Sequence, residues 1–159
     1  MMSRTMRRFK QALSKPECQE ILRTEPRGVL SVMGDNGYPY GIPMNFYYDK
    51  AENRIYFHCA RTGHKLDAIK NCSKVCFTTW DKGFKEGDDW AWHIGSVIVM
   101  GQATLVDDPA VIEEKVRQLA LKYYPTTEEV EMEIARDIHR VGLIALEIEQ
   151  MTGKRVKEK

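Results

Sequence analysis

Residues 55–71, IYFHCARTGHKLDAIKN, gather His58, Cys59, His64 and Lys65 around one strand-to-helix corner. An unperturbed imidazole titrates at about 6.5, so His58 and His64 can take up or release a proton near neutrality. Lys65 adds a standing positive charge, and the amides of Gly63, His64 and Lys65 would open a helix without intrahelical acceptors. Three readings fit that set. A phosphate could accept from the helix start and pair with the lysine. A metal could take His58, His64 and Cys59 or Cys76. The corner could also be a solvated turn. Strand alternation sends His58 and Cys59 to opposite faces and no familiar zinc spacing is present, so no metal site is expected.

The strands that must position this corner are readable from alternation. Ile55, Phe57 and Cys59 take one face of a strand and suit a core; Tyr56, His58 and Ala60 take the other. A small alanine beside a histidine leaves room for something flat. In the preceding strand, YPYGIPMNF, Gly41, Pro43 and Asn45 share a face opposite Tyr40, Ile42, Met44 and Phe46. Pro43 cannot donate to a ladder, which places this strand at an edge or at a bulge. After the corner, Thr62 is the expected helix cap, with Leu66 and Ile69 inward.

The rest of the chain supplies a sheet and its helices. Strands are expected near 28–34, 38–48, 54–60, 74–81, 93–106 and 141–150, with GDNG (34–37) as a hairpin turn and DKAEN (49–53) as a longer one. Helical spacing follows Ser14 and Pro16, then Asp108 and Pro109, then Thr126 and Thr127. Six antiparallel strands with helices at their margins make a mainly β, α+β barrel-like fold. Two strands are apolar on both faces: Ile98 and Met100 oppose Val97 and Val99, and Leu143 and Ala145 oppose Ile144 and Leu146. A barrel core covers one face only. The second faces need helices or another subunit, and a homodimer is expected.

At 159 residues the chain reads as one domain behind a basic tail of about residues 1–13. Its net charge of +1 provides no global field for nucleic acid or an anionic membrane. No apolar run is long enough to span a bilayer, and the N-terminus lacks the apolar core of a signal peptide. Cys18, Cys59, Cys72 and Cys76, without CxxC spacing, read as reduced thiols of a cytoplasmic protein.

Taken in order, YPYGIPMNFYYD, RIYFHCARTGHKLDAIKNCSKVCFTTWD and GSVIVMGQATLVDD resemble the flavin-binding split-barrel proteins related to pyridoxamine 5′-phosphate oxidase, and within them the nitroimidazole-resistance branch. The likeness runs from residue 6 to residue 154. It implies a six-stranded split barrel that dimerises, with FMN in each of two grooves between subunits. It places Pro43, Met44 and Asn45 at the isoalloxazine ring, His58, Cys59 and Ala60 along the ring and ribityl chain, and His64 and Lys65 at the phosphate. Ser96 and Trp92 would reach in from the long fifth strand and the loop before it. His58 is then the candidate catalytic residue, as proton donor to a small flat acceptor such as a nitroaromatic, or as its orienter.

Two departures qualify the likeness. The oxidases proper carry an Arg-Lys pair where this chain has His64-Lys65, and their Arg-rich C-terminal segment is replaced by EIEQMTGKRVKEK, which argues against vitamin B6 oxidation. No glycine-rich nicotinamide fingerprint marks the electron donor. The rival reading is a protein that holds FMN, F420 or haem without turnover, with His58 or His93 as an iron ligand.

Overall fold

The structure, a computed structural model, describes residues 4–159. The first three residues of the expected basic tail lie outside the described residues. Further along that segment, residues 9–11 form a short 3-10 turn and the Leu13 amide donates to Gly153 O at 2.9 Å.

Seven strands form a single antiparallel sheet: β1 (Arg27–Met33), β2 (Pro39–Asn45), β3 (Tyr47–Asp49), β4 (Arg54–Ala60), β5 (Lys74–Trp80), β6 (His93–Val106) and β7 (Val141–Lys157). Their spatial order is β2-β1-β5-β6-β7-β4-β3. β2 and β3 are therefore opposite edges of the sheet, yet only Phe46 separates them in the chain. Two peptide steps span at most about 7 Å. The sheet must curl until its edges meet at Phe46, and that seam makes it a split barrel. Pro43 accordingly sits on an edge strand, as its missing N–H requires.

The count is seven rather than the expected six because the segment read as one strand over 38–48 breaks at Phe46. Non-local groups take over the backbone there. The Phe46 N–H donates to the Tyr123 hydroxyl at 3.0 Å, and the Lys122 ammonium donates to Phe46 O at 3.1 Å. The last strand is also longer than expected, because residues 151–157 continue as the partner of 93–99 beyond a bulge at Met100/Gly101. A Cβ at Gly101 would lie 1.9 Å from Glu147 O, so only glycine allows the two strands to approach there.

Turn and cap signals act where alternation and spacing put them. Asn36 and Gly37 both take positive φ (57° and 77°) in the β1–β2 turn. Four α-helices flank the sheet: α1 (Lys15–Thr24), α2 (His64–Asn71), α3 (Pro109–Leu121) and α4 (Thr127–Asp137). Ser14 and Glu17 close a capping box on α1, and the Asp108 and Thr126 side chains cap α3 and α4. The barrel core is built from Leu30, Met44, Phe46, Ile55, Phe57, Phe77, Val97, Val99, Ile144 and Leu146. α3 lays Ile112 against Tyr56, Leu143 and Ala145 on the outer face of β4 and β7. That answers half of the two-faced-strand problem: a helix covers β7. Among the described residues nothing covers the outer face of β6 at Ile98 and Met100, which stay 38% and 50% exposed.

α3 is fastened by a buried charge. Lys115 is 4% exposed and donates to Asp49 at 2.9 Å and Glu52 at 2.8 Å, joining the helix to the β3–β4 hairpin. Burial alone would discharge it, but the bonds from both carboxylates push its pKa up instead.

Candidate functional site: the groove at the barrel seam

The seam opens into a groove of about 450 Å³. Arg27 and Asn45 form one wall, His58 and Val141 the opposite wall, and Leu119, Ala120, Tyr123, Ile134 and Ile138 the roof. Its volume lies in the range of small-molecule sites. Asn45 and His58 are thirteen positions apart in sequence but come from β2 and β4, the strands that barrel closure brings together. The Asn45 amide nitrogen donates to Pro26 O at 3.4 Å. The Tyr123 hydroxyl donates to that same carbonyl at 2.6 Å. Lys122 lies beside it, donating to Glu25 O at 2.7 Å with its charge 3.8 Å above the Phe46 ring. Burial lowers Lys122 to about 8 all the same.

His58 leaves part of its surface open to solvent, yet its pKa is lowered, first by burial in the groove and then by the Lys65 charge. Around neutrality the ring is therefore mainly the neutral imidazole. It can accept or donate one hydrogen bond; the imidazolium that a strong proton donor would need is disfavoured.

The corner after β4 differs from expectation in its cap. Gly63, not Thr62, is the N-cap of α2, with φ 143° and no side-chain cap bond. That left-handed φ suits glycine. The Leu66 and Asp67 amides both return to Gly63 O (3.0 and 3.2 Å), so those of His64 and Lys65 precede the first helical bonds. Lys65 is half-buried, and its charge is felt at both His58 and Cys59. His64 already has neighbours: its ring stacks on Tyr40 at 4.4 Å and its Nε2 lies 3.6 Å from Asp35.

The remaining expected residues divide by face. Gly41, Pro43, Asn45, His58 and Ala60 share the outer face of the sheet, as alternation requires. The Met44 side chain is buried in the core and that of Cys59 packs against it, so only their backbones face the groove side. Ser96 is on the outer face too, but registers Arg27↔Asn45, Val29↔Thr78 and Trp80↔Ser96 put it three strands from Asn45. At ~4.8 Å per strand that is roughly 14 Å along the sheet. Trp92, 43% exposed with the Lys85 ammonium 5.1 Å from its ring, lies beyond Ser96. Within one chain Ser96 and Trp92 are therefore not brought to His58. His93, the first residue of β6, stacks flat on Phe84 at 4.8 Å with Nε2 3.6 Å from Glu86, both partners from the loop before the strand.

Among the described residues no group of three or more His, Cys, Asp or Glu is placed to hold a metal, and all four cysteines are free. No helix among them is long and apolar enough to cross a membrane. Sequence reasoning did not single out Arg27, Lys122 or Tyr123. In the sequence Tyr123 follows Val116 and Leu119 at helical spacing, which signals a helix face and no more; Arg27 carries no signal.

Residues 14–155 match the family model described as pyridoxamine 5′-phosphate oxidase. No curated protein matches the chain. Among solved structures, a candidate 5-nitroimidazole antibiotic resistance protein from Bacteroides thetaiotaomicron superposes with a TM-score of 0.76 at 18% identity, covering 92% of this chain and 87% of that one. The flavocytochrome Anf3 from Azotobacter vinelandii gives 0.75 at 23% identity, over 94% and 71% of the two chains. An FAD-binding protein from Mycobacterium smegmatis gives 0.61 at 22% identity, over 91% and 98%.

Proposed function

Because the chain belongs to the pyridoxamine 5′-phosphate oxidase family, we propose that it is a flavoprotein that binds FMN at the barrel seam and reduces small flat acceptors such as nitroaromatics. The observation that carries this reading is that Asn45 and His58 line one groove, with Ala60 two positions further along β4 on the same face and the open start of α2 following in the chain. The residues fit the cofactor. The His64 and Lys65 amides and the half-buried Lys65 ammonium suit a phosphate. Ala60 and the proline edge leave a flat, uncrowded face for a ring system, with the backbones of Met44 and Cys59 bordering it. Asp35, near His64, sets an opposing charge at the same corner, so Lys65 is the principal phosphate cation.

A bound flavin would supply hydride and electron transfer; the protein's part is to place it and the acceptor. As a neutral imidazole, His58 orients the acceptor through one hydrogen bond, and water is kept from it by the apolar roof of Leu119, Ala120, Ile134 and Ile138. The uncovered outer face of β6, with Ile98, Met100 and nearby Trp80 at 52% exposure, suits a second copy of the chain. In such a dimer Ser96 and Trp92 would serve the partner's flavin rather than their own. The protein is placed in the cytoplasm on this reading, with free thiols and no charge field for nucleic acid.

The absorption spectrum of the purified protein tests the proposal directly. The two-band spectrum of an oxidised flavin is expected, bleached by a reduced nicotinamide and restored by a nitroaromatic. A haem spectrum, or failure to take up FMN on reconstitution, overturns it. His93 is a poor iron ligand, since Phe84 covers its ring and Glu86 faces Nε2.

A further inference from the structure

The seam groove has a charge pattern that selects among flat acceptors. Its roof and floor are apolar: Val116, Leu119, Ala120, Ile134, Ile138 and Val141. Three charged side chains reach it: Arg27, Glu133 and Asp137. Both acids are already neutralised along α4. Glu133 pairs with Arg136 at 2.6 Å, and Asp137 pairs with Arg136 at 2.8 Å and with Arg140. Among the described residues Arg27 has no carboxylate partner. It rises from β1 opposite Asn45, close enough to Tyr123 that its charge acts on that hydroxyl. The groove is thus an apolar slot with one unengaged guanidinium at its wall and a neutral imidazole across from it.

Resting on the reading above, we infer that this groove takes an aromatic or conjugated acid, with the ring in the apolar slot and its carboxylate paired to Arg27. A planar fork of N–H donors matches a carboxylate with two parallel bonds, which a neutral substituent cannot accept equally well. With the ring against Leu119 and Ile134 and the acid held at Arg27, the far end of the molecule is directed toward His58.

The test compares two nearly isosteric probes, para-nitrobenzoate and para-nitrotoluene, binding to the protein as purified, by calorimetry. The wild type should bind the acid about tenfold more tightly, the worth of one charge-assisted contact. Arg27→Met should abolish that preference and leave para-nitrotoluene unchanged, Arg27→Gln should do the same, and Arg27→Lys should retain part of it. Equal affinity of the wild type for both probes overturns the inference, as does a preference that survives in Arg27→Met. Parallel weakening of both probes also overturns it, since Arg27 would then only shape the groove. Flavin content, read from absorption in each variant, separates the two proposals. Loss of flavin together with the acid preference puts Arg27 on the cofactor and sinks this inference. Acid selectivity in protein that takes up no flavin leaves it standing while the redox reading fails.

Discussion

Replacing Tyr123 with Phe removes one oxygen from the junction that closes the barrel. That hydroxyl accepts the Phe46 N–H at 3.0 Å and donates to Pro26 O at 2.6 Å, with Phe46 O also 3.0 Å away. Phe46 is fully buried, so its amide has no ready replacement partner. A buried donor left unsatisfied costs about 1–3 kcal/mol, and the lost bond to Pro26 O adds about 0.5–1.5 kcal/mol. Lys122 still holds Phe46 O, which limits the damage to this pair. The sum is about 1.5–4.5 kcal/mol; a chain of this size shifts about 2–4 °C per kcal/mol, so Tm should fall by roughly 3 to 18 °C. Urea unfolding should show a lower midpoint at unchanged slope, because the surface exposed on unfolding is the same. A Tm within about 2 °C of wild type would refute the reasoning: water, or a small shift of β2, would then satisfy Phe46 as well as tyrosine does.

Lys65→Ala should weaken FMN binding roughly ten- to a hundred-fold while leaving riboflavin, which lacks the phosphate, nearly unchanged; equal loss for both ligands would point to a packing defect instead. Lys122 is held at about 8 in the fold against 10.5 in the unfolded chain. The folded state thus binds fewer protons between those values, so its contribution to stability is lowest below pH 8 and grows as pH rises toward 10.5. The wild-type stability minus that of Lys122→Met should therefore rise across that window, and a flat difference would show that Lys122 is not depressed. Ile98→Glu with Met100→Glu should turn a dimer into a monomer in light scattering without lowering helix or strand content; a wild type that is already monomeric with tightly bound flavin contradicts the two-subunit groove.

What could be read from residues alone follows the range of the interactions involved. β6 was bounded correctly at 93–106, and its inner and outer residues were sorted, because alternation is local and one face must be buried. Pro43 announced an edge strand for the same reason: a missing donor is a property of one residue. The break at Phe46 was not legible, since the groups that satisfy it arrive from Lys122 and Tyr123, more than seventy positions later. The cap of α2 was assigned to Thr62 on side-chain chemistry, whereas the turn required a positive φ that only Gly63 takes easily. The same distinction runs through the site. His58, Ala60 and Lys65 belong to one strand and the turn after it, so their relation could be inferred from spacing. Arg27 enters only because β1 and β2 form one lip of the seam and β4 and β7 the other, a consequence of which edges meet. A seven-stranded sheet whose edge strands are joined by a single residue has to close there, and whatever side chains flank that joint face each other across it. The groove is thus placed by the fold's closure, and its chemistry by the few residues that closure sets opposite His58.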